Sequence, residues 1–169
     1  MIKFITTLLA FFIFSTSYAK EVKVGIILGF TGPIESLTPG MAAGAELAFN
    51  EASDSGALLG GSTVSSIRAD STCIDSAAAA SAAEFLISQG VTAIMGADCS
   101  GVTGAVLSNV AVPNGVPMIS PSATSPALTT AEDNGLFFRT APSDARGGEV
   151  LADITNDRGI TSVAITYVN

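Results

Sequence analysis

Short apolar runs alternate with helix-length segments along most of this chain, and that alternation constrains the fold more than any other feature. Residues 22–28 (VKVGIIL) form the first run, apolar enough to be buried on both faces of a sheet. Residues 63–69, 91–95 and 117–120 follow as strands. Three helical segments separate them. Thr38 and Pro39 supply a cap and a proline at the first helical position. Met41, Ala45, Ala48, Phe49 and Ala52 then share one face, to about Ser53. Asp75 caps an alanine-rich helix over residues 77–89, stopped by Gly90 in the left-handed cap position. Ser100 caps a third helix that runs to about Val112. Strands alternating with single helices across short loops predict an α/β fold built on a parallel, doubly wound sheet.

Beyond that unit, Asn134-Gly135 turns the chain into a strand-like run over residues 136–140. Pro142-Ser143-Asp144 then opens a helix over residues 145–157, and residues 161–167 read as a further strand. A β-α-β piece of that size cannot bury a core of its own. The chain therefore reads as the front of a longer protein.

The address comes from residues 1–19. Lys3, an apolar stretch over residues 5–15 and the small-x-small Ser17-Tyr18-Ala19 make a cleaved signal peptide. The stretch is short for a spanning helix. Formal net charge is −8, and the exported chain, without Lys3, is more acidic by a single unit of charge. Such a chain is a poor partner for nucleic acid or an anionic membrane surface. Its two cysteines, Cys73 and Cys99, both lie in the exported chain, where a structural disulfide is the expected use.

Chemistry is limited by what is missing. There is no histidine, which removes the usual general base and every Ser-His or Cys-His arrangement. No Gly-x-Ser-x-Gly elbow, Walker loop or Gly-x-Gly-x-x-Gly is present. Asp70, Asp75 and Asp98 match no known calcium loop. No catalytic residue, metal site or cofactor is expected.

Residues 96–130 (GADCSGVTGAVLSNVAVPNGVPMISPSATSPALTT) point instead to binding. Ser100 with Thr103, and Ser122 with Thr124 and Ser125, cluster on two loops that leave the third and fourth strands. Singly, such a serine only caps backbone N–H groups. Two such loops on one sheet edge offer hydroxyls and a helix N-terminus to a carboxylate. The prolines at 121 and 126 fix the second loop in advance.

Four segments, VKVGIILGFTGP, GVTAIMGADCSGVTGAV, VPMISPSATSPALT and LFFRTAPSD, resemble the type I periplasmic binding proteins of the leucine/isoleucine/valine-binding class. They occur in that class's order and spacing, and Cys73 and Cys99 fall where its members form a disulfide. The resemblance implies a monomeric, two-lobed, non-enzymatic periplasmic receptor that closes on an amino acid and delivers it to ABC permease membrane subunits. It implies a ligand site at Ser100, Ser122, Ala123 and Thr124. Ser100 and Thr124 would hold the ligand carboxylate, and backbone at Ser122 and Thr124 the ammonium. Residues 20–142 would be the first lobe and residues 143–169 the start of a second, with the hinge near residues 139–142. Leu37 stands where the class carries an aromatic over the ligand side chain. The second lobe's contacts would lie beyond Asn169, so this chain alone is expected to bind weakly or not at all. A sensory receptor domain of the same fold, or a binding protein for urea, amides or other small carboxylates, is the alternative.

Overall fold

The computed structural model describes residues 20–166. The signal peptide assigned to residues 1–19 and the end of the last expected strand lie outside the described residues. The elements are β1 (Glu21–Leu28), α1 (Thr38–Asp54), β2 (Thr63–Asp70), α2 (Ser76–Ser88), β3 (Ala93–Gly96), α3 (Ser100–Val106), β4 (Met118–Ser120), β5 (Phe137–Arg139) and α4 (Asp144–Asp157). α3 continues through a π-helical turn (Leu107–Ala111) and a last turn (Val112–Asn114). Pro113 has no N–H for the carbonyl four residues back, and the widened turn immediately precedes it.

All five strands are parallel, in the order β2-β1-β3-β4-β5. The expected doubly wound sheet is therefore present, with residues 137–139 added beyond β4 as a fifth strand. Chain direction across the sheet reverses between β1 and β3. In open α/β sheets the crevice at such a reversal, outside the strand carboxyl ends, is where ligands bind.

Strand alternation sorts the core into two layers. Ile26 and Leu28 of β1 pack with Ala42 of α1, flanked by Met41, Ala45 and Phe49. Ile27, pointing the other way, joins Ala83 and Leu86 of α2 and Val102 and Val106 of α3. Burying each such aliphatic side chain stabilises by about 1.5–3 kcal/mol, so this layer supplies most of the hydrophobic drive. On the α1 side the cover is partial. Met95, Ile119 and Phe138 stand in register across β3, β4 and β5, and Ile119 and Phe138 are 44% and 57% exposed.

Two local expectations are corrected. Thr38 does not cap α1: it is the first helical residue, after Leu37, with no side-chain cap bond. Its buried hydroxyl donates instead to the Gly29 carbonyl at 3.0 Å, tying the start of α1 to the end of β1. Residues 161–166 form no strand. A strand needs a neighbour to receive its N–H and C=O groups. The five-stranded sheet ends at β5, and Val163 and Ile165 are left exposed.

Candidate functional site

The loops at the strand carboxyl ends are organised by a carboxylate that sequence reasoning weighed only as a calcium ligand. Asp98, 2% exposed, lies just beyond β3 at the β1/β3 reversal. Its Oδ2 accepts from the Gly29 N–H at 2.7 Å. Its Oδ1 accepts from the Cys99 N–H at 2.9 Å and the Ser71 hydroxyl at 3.3 Å. A single side chain thus fastens together the loops that follow β1, β2 and β3. The available signal was its position, two residues past the strand-ending Gly96 and two before α3.

Asp70 makes a second fastening nearer the surface. It accepts from the Thr31 hydroxyl at 2.6 Å, the Thr31 N–H at 3.3 Å and the Thr72 N–H at 2.8 Å. Burial pushes this carboxyl up, but the Thr31 hydroxyl and the amides of Thr72, Thr31 and Phe30 together hold it below its ordinary value. A depressed carboxyl contributes stability above its unfolded pKa, about 3.9, that is lost as pH falls through the folded value. Acidification below about pH 4 is therefore expected to loosen the Thr31 loop, read as a loss of protection of the Thr31 amide relative to its intrinsic exchange rate at the same pH.

Cys73 and Cys99 are joined, with Cα atoms 5.2 Å apart. The bridge links the loop before α2 to the residue before Ser100. Closing a chain segment of this length stabilises by about 3 kcal/mol on the chain-entropy account. Cys73→Ser with Cys99→Ser is expected to lower the urea midpoint accordingly, and an unchanged midpoint would remove the bridge from the account.

Ser100 is the first residue of α3 and not its cap; Cys99 holds that position without a side-chain bond. The Ser100 Oγ accepts from the Ser125 N–H at 3.1 Å, so it joins the β3–α3 loop to the β4–β5 loop. Thr103 does not share the site: it is fully buried, and its hydroxyl donates back to the Cys99 carbonyl at 2.9 Å. Ser122 donates to the Asp98 carbonyl at 3.0 Å. Ala123 is fully buried, and its N–H donates to the Ser120 hydroxyl at 3.0 Å. Ser120 in turn donates to the Ala97 carbonyl.

Thr124 is held from outside the sheet. Its carbonyl accepts from the Asp144 N–H at 2.9 Å, and its hydroxyl lies 2.9 Å from the Asp144 Oδ2, to which it donates. Asp144 opens α4, where Ser143 is the cap and accepts from the Ala145 N–H at 3.3 Å. Arg139 of β5 reaches back under the same loop, donating to the Ser125 carbonyl at 2.8 Å and the Ala123 carbonyl at 3.3 Å. Sequence reasoning used Arg139 only as a hinge marker and did not single out Asp144. The edge therefore carries hydroxyls, free donors at the start of α3 and one exposed carboxylate. Such a set can orient a small zwitterion or acid. Among the described residues no cluster is placed to hold a metal ion, and no helix is long and apolar enough to cross a membrane.

Comparison with known proteins bears on the family and the fold. Residues 21–169 match the family described as periplasmic binding protein. A Leu/Ile/Val-binding protein homolog from Brucella melitensis is 33% identical over 82% of this chain and 36% of its own length. The isoleucine complex of a branched-chain amino acid transporter substrate-binding protein from Streptococcus pneumoniae superposes with TM-score 0.72 at 30% identity, over 82% of this chain and 39% of that one. A solute-binding protein of an ABC transporter from R. palustris, solved with benzoate, gives TM-score 0.70 at 27% identity, over 82% of this chain and 38% of its own. The chain thus spans less than half the length of each. It belongs to the periplasmic binding protein family.

Proposed function

We propose that this chain is the front of an extracytoplasmic substrate-binding protein that captures a small amino acid, of branched-chain type, for an ABC-type importer. Residues 20–142 form its first lobe and residues 143–169 open the second. Residues 1–19 direct it to the periplasm and are removed. Its partners are the ligand and the permease's membrane subunits, and it works without catalysis.

The observation that carries the reading is the hydrogen bond from the Ser125 N–H to the Ser100 Oγ. It draws together the hydroxyl-bearing loops that follow β3 and β4, at the strand carboxyl edge next to the β1/β3 reversal where ligands of such folds bind. With Oγ already accepting, the Ser100 hydroxyl proton is free for a ligand carboxylate, beside unpaired N–H groups at the start of α3. Thr124 takes a different role from the one its sequence position suggests. Its hydroxyl donates to Asp144, so it meets the ligand through its lone pairs. Asp144 and Thr124 together suit an ammonium, and Ser100 the carboxylate. Ser122 and Ala123 hold the loop between them.

Benzoate in the R. palustris relative supports a second reading, a small aromatic acid, since the carboxylate end of the site would serve both. Titrating leucine, isoleucine, valine and benzoate into the natural-length protein separates the two, because only the amino acids need Asp144. Ser100→Ala and Thr124→Val are each expected to weaken amino-acid binding by at least ~1 kcal/mol, about fivefold. No loss from either would return both residues to holding the loops alone.

A further inference from the structure

We propose that Arg139 is a positioning residue for the site, a clamp that sets the conformation of the Ser122–Thr124 loop and through it the affinity for ligand. The proposal rests on the reading of that loop as the ligand contact. The loop has no strand ladder to satisfy its backbone, so each polar group needs another partner. The Ser122 and Ala123 N–H groups turn to the Ser120 hydroxyl, and the Ser125 N–H to Ser100. The carbonyls on either side of Thr124 both turn to one guanidinium. Nη1 of Arg139 bonds the Ser125 and Ala123 carbonyls, and Nη2 bonds the Thr129 hydroxyl. The Thr124 carbonyl between them goes to the Asp144 N–H instead. Thr124 is thereby held from two sides, by a cation on β5 and by the first residue of α4.

Only arginine suits this position. A planar fork with five donors can serve two carbonyls and a hydroxyl at once, and it stays charged at any working pH. A lysine ammonium is a point charge on a flexible stem and cannot span the same three acceptors. Arg139 takes part in neither ion pair found among the described residues, which join Arg68 to Glu46 and Arg146 to Glu149. Its charge is met by neutral oxygens, so the contacts fix loop shape rather than neutralise an acid. The clamp is also well anchored, because β5 is held to β4 by parallel pairing at Met118, Ile119 and Ser120.

Arg139→Ala and Arg139→Lys in the natural-length protein test this with two readouts, amide exchange across residues 122–125 and calorimetric titration with leucine, isoleucine and valine. Exchange at Ser125 is expected to rise at least about tenfold in Arg139→Ala while the amides of β1 and β3 stay protected. Affinity is expected to fall about fivefold or more, and millimolar guanidinium to restore some of it. Millimolar guanidinium is too dilute to change global stability, at a few kcal/mol per molar, so recovered affinity reports refilling of the clamp position itself. Should Arg139→Ala fail to fold, Arg139→Lys keeps charge and stem and is expected to show the same local loss to a lesser degree. Unchanged exchange at residues 122–125 in a folded variant overturns the proposal. So does faster exchange with unchanged affinity. If the wild type binds none of the three amino acids, the amino-acid reading fails, and local exchange alone decides the clamp.

Discussion

Gly96→Ala is expected to destabilise the protein by at least ~3 kcal/mol or to prevent folding, read as the loss or collapse of the urea transition. Gly96 has φ +130°, a backbone region that side chains strongly disfavour. A Cβ there would lie 2.0 Å from the Ile27 carbonyl oxygen and 2.8 Å from the Ile27 Cγ2. The first of these atoms is backbone of β1 at a residue paired on both sides, with Ala69 and with Gly96 itself, so it cannot step aside cheaply. The effect reaches the site because Gly96 ends β3 and aims the chain toward Asp98 and Ser100. A variant with less than ~1 kcal/mol of loss would contradict this close approach of β3 to β1.

Asp98→Asn comes next, with an expected loss of about 2–4 kcal/mol. The change is nearly isosteric, so no cavity explains it. Both carboxylate oxygens accept from donors, Gly29 on one side and Cys99 with Ser71 on the other. An amide nitrogen placed on either side faces a backbone N–H with which it cannot bond, that of Gly29 or that of Cys99, and a buried donor is left unmatched. Thermal unfolding should show the loss, with faster exchange at the Gly29 amide as its local mark. A melting temperature equal to the wild type's would mean that the three loops hold together without the charge.

Much of this architecture was legible in the chain because local signals and burial agree. The VKVGIIL run, the Asp75 cap and the Gly90 stop each place an element by chemistry acting within a few residues. The cap at Asp75 is made as written, accepting from the Ala77 and Ala78 N–H groups. Where the sequence misled, a distant partner had taken over a local role. Thr38 and Ser100 both look like caps, yet one hydroxyl is claimed by Gly29 and the other by Ser125, nine and 25 residues away. Residues 161–166 have strand composition but no neighbouring strand, and composition cannot report that. Asp98, Arg139 and Asp144 were opaque for a related reason. A carboxylate or guanidinium in a loop reads as a solvated charge until the fold brings its donors or acceptors around it. The candidate hydroxyls were visible from spacing, whereas the groups that orient them were not.

The most direct measurement of the central claim is a calorimetric titration of leucine, isoleucine and valine into the natural-length protein, alongside the Ser100→Ala variant. The account predicts saturable one-to-one binding of at least one of the three, weakened about fivefold or more by the substitution. Binding of benzoate with no response to any of the amino acids would contradict the branched-chain reading. Amino-acid binding unaffected by Ser100→Ala would place the ligand away from the loops at the β1/β3 reversal.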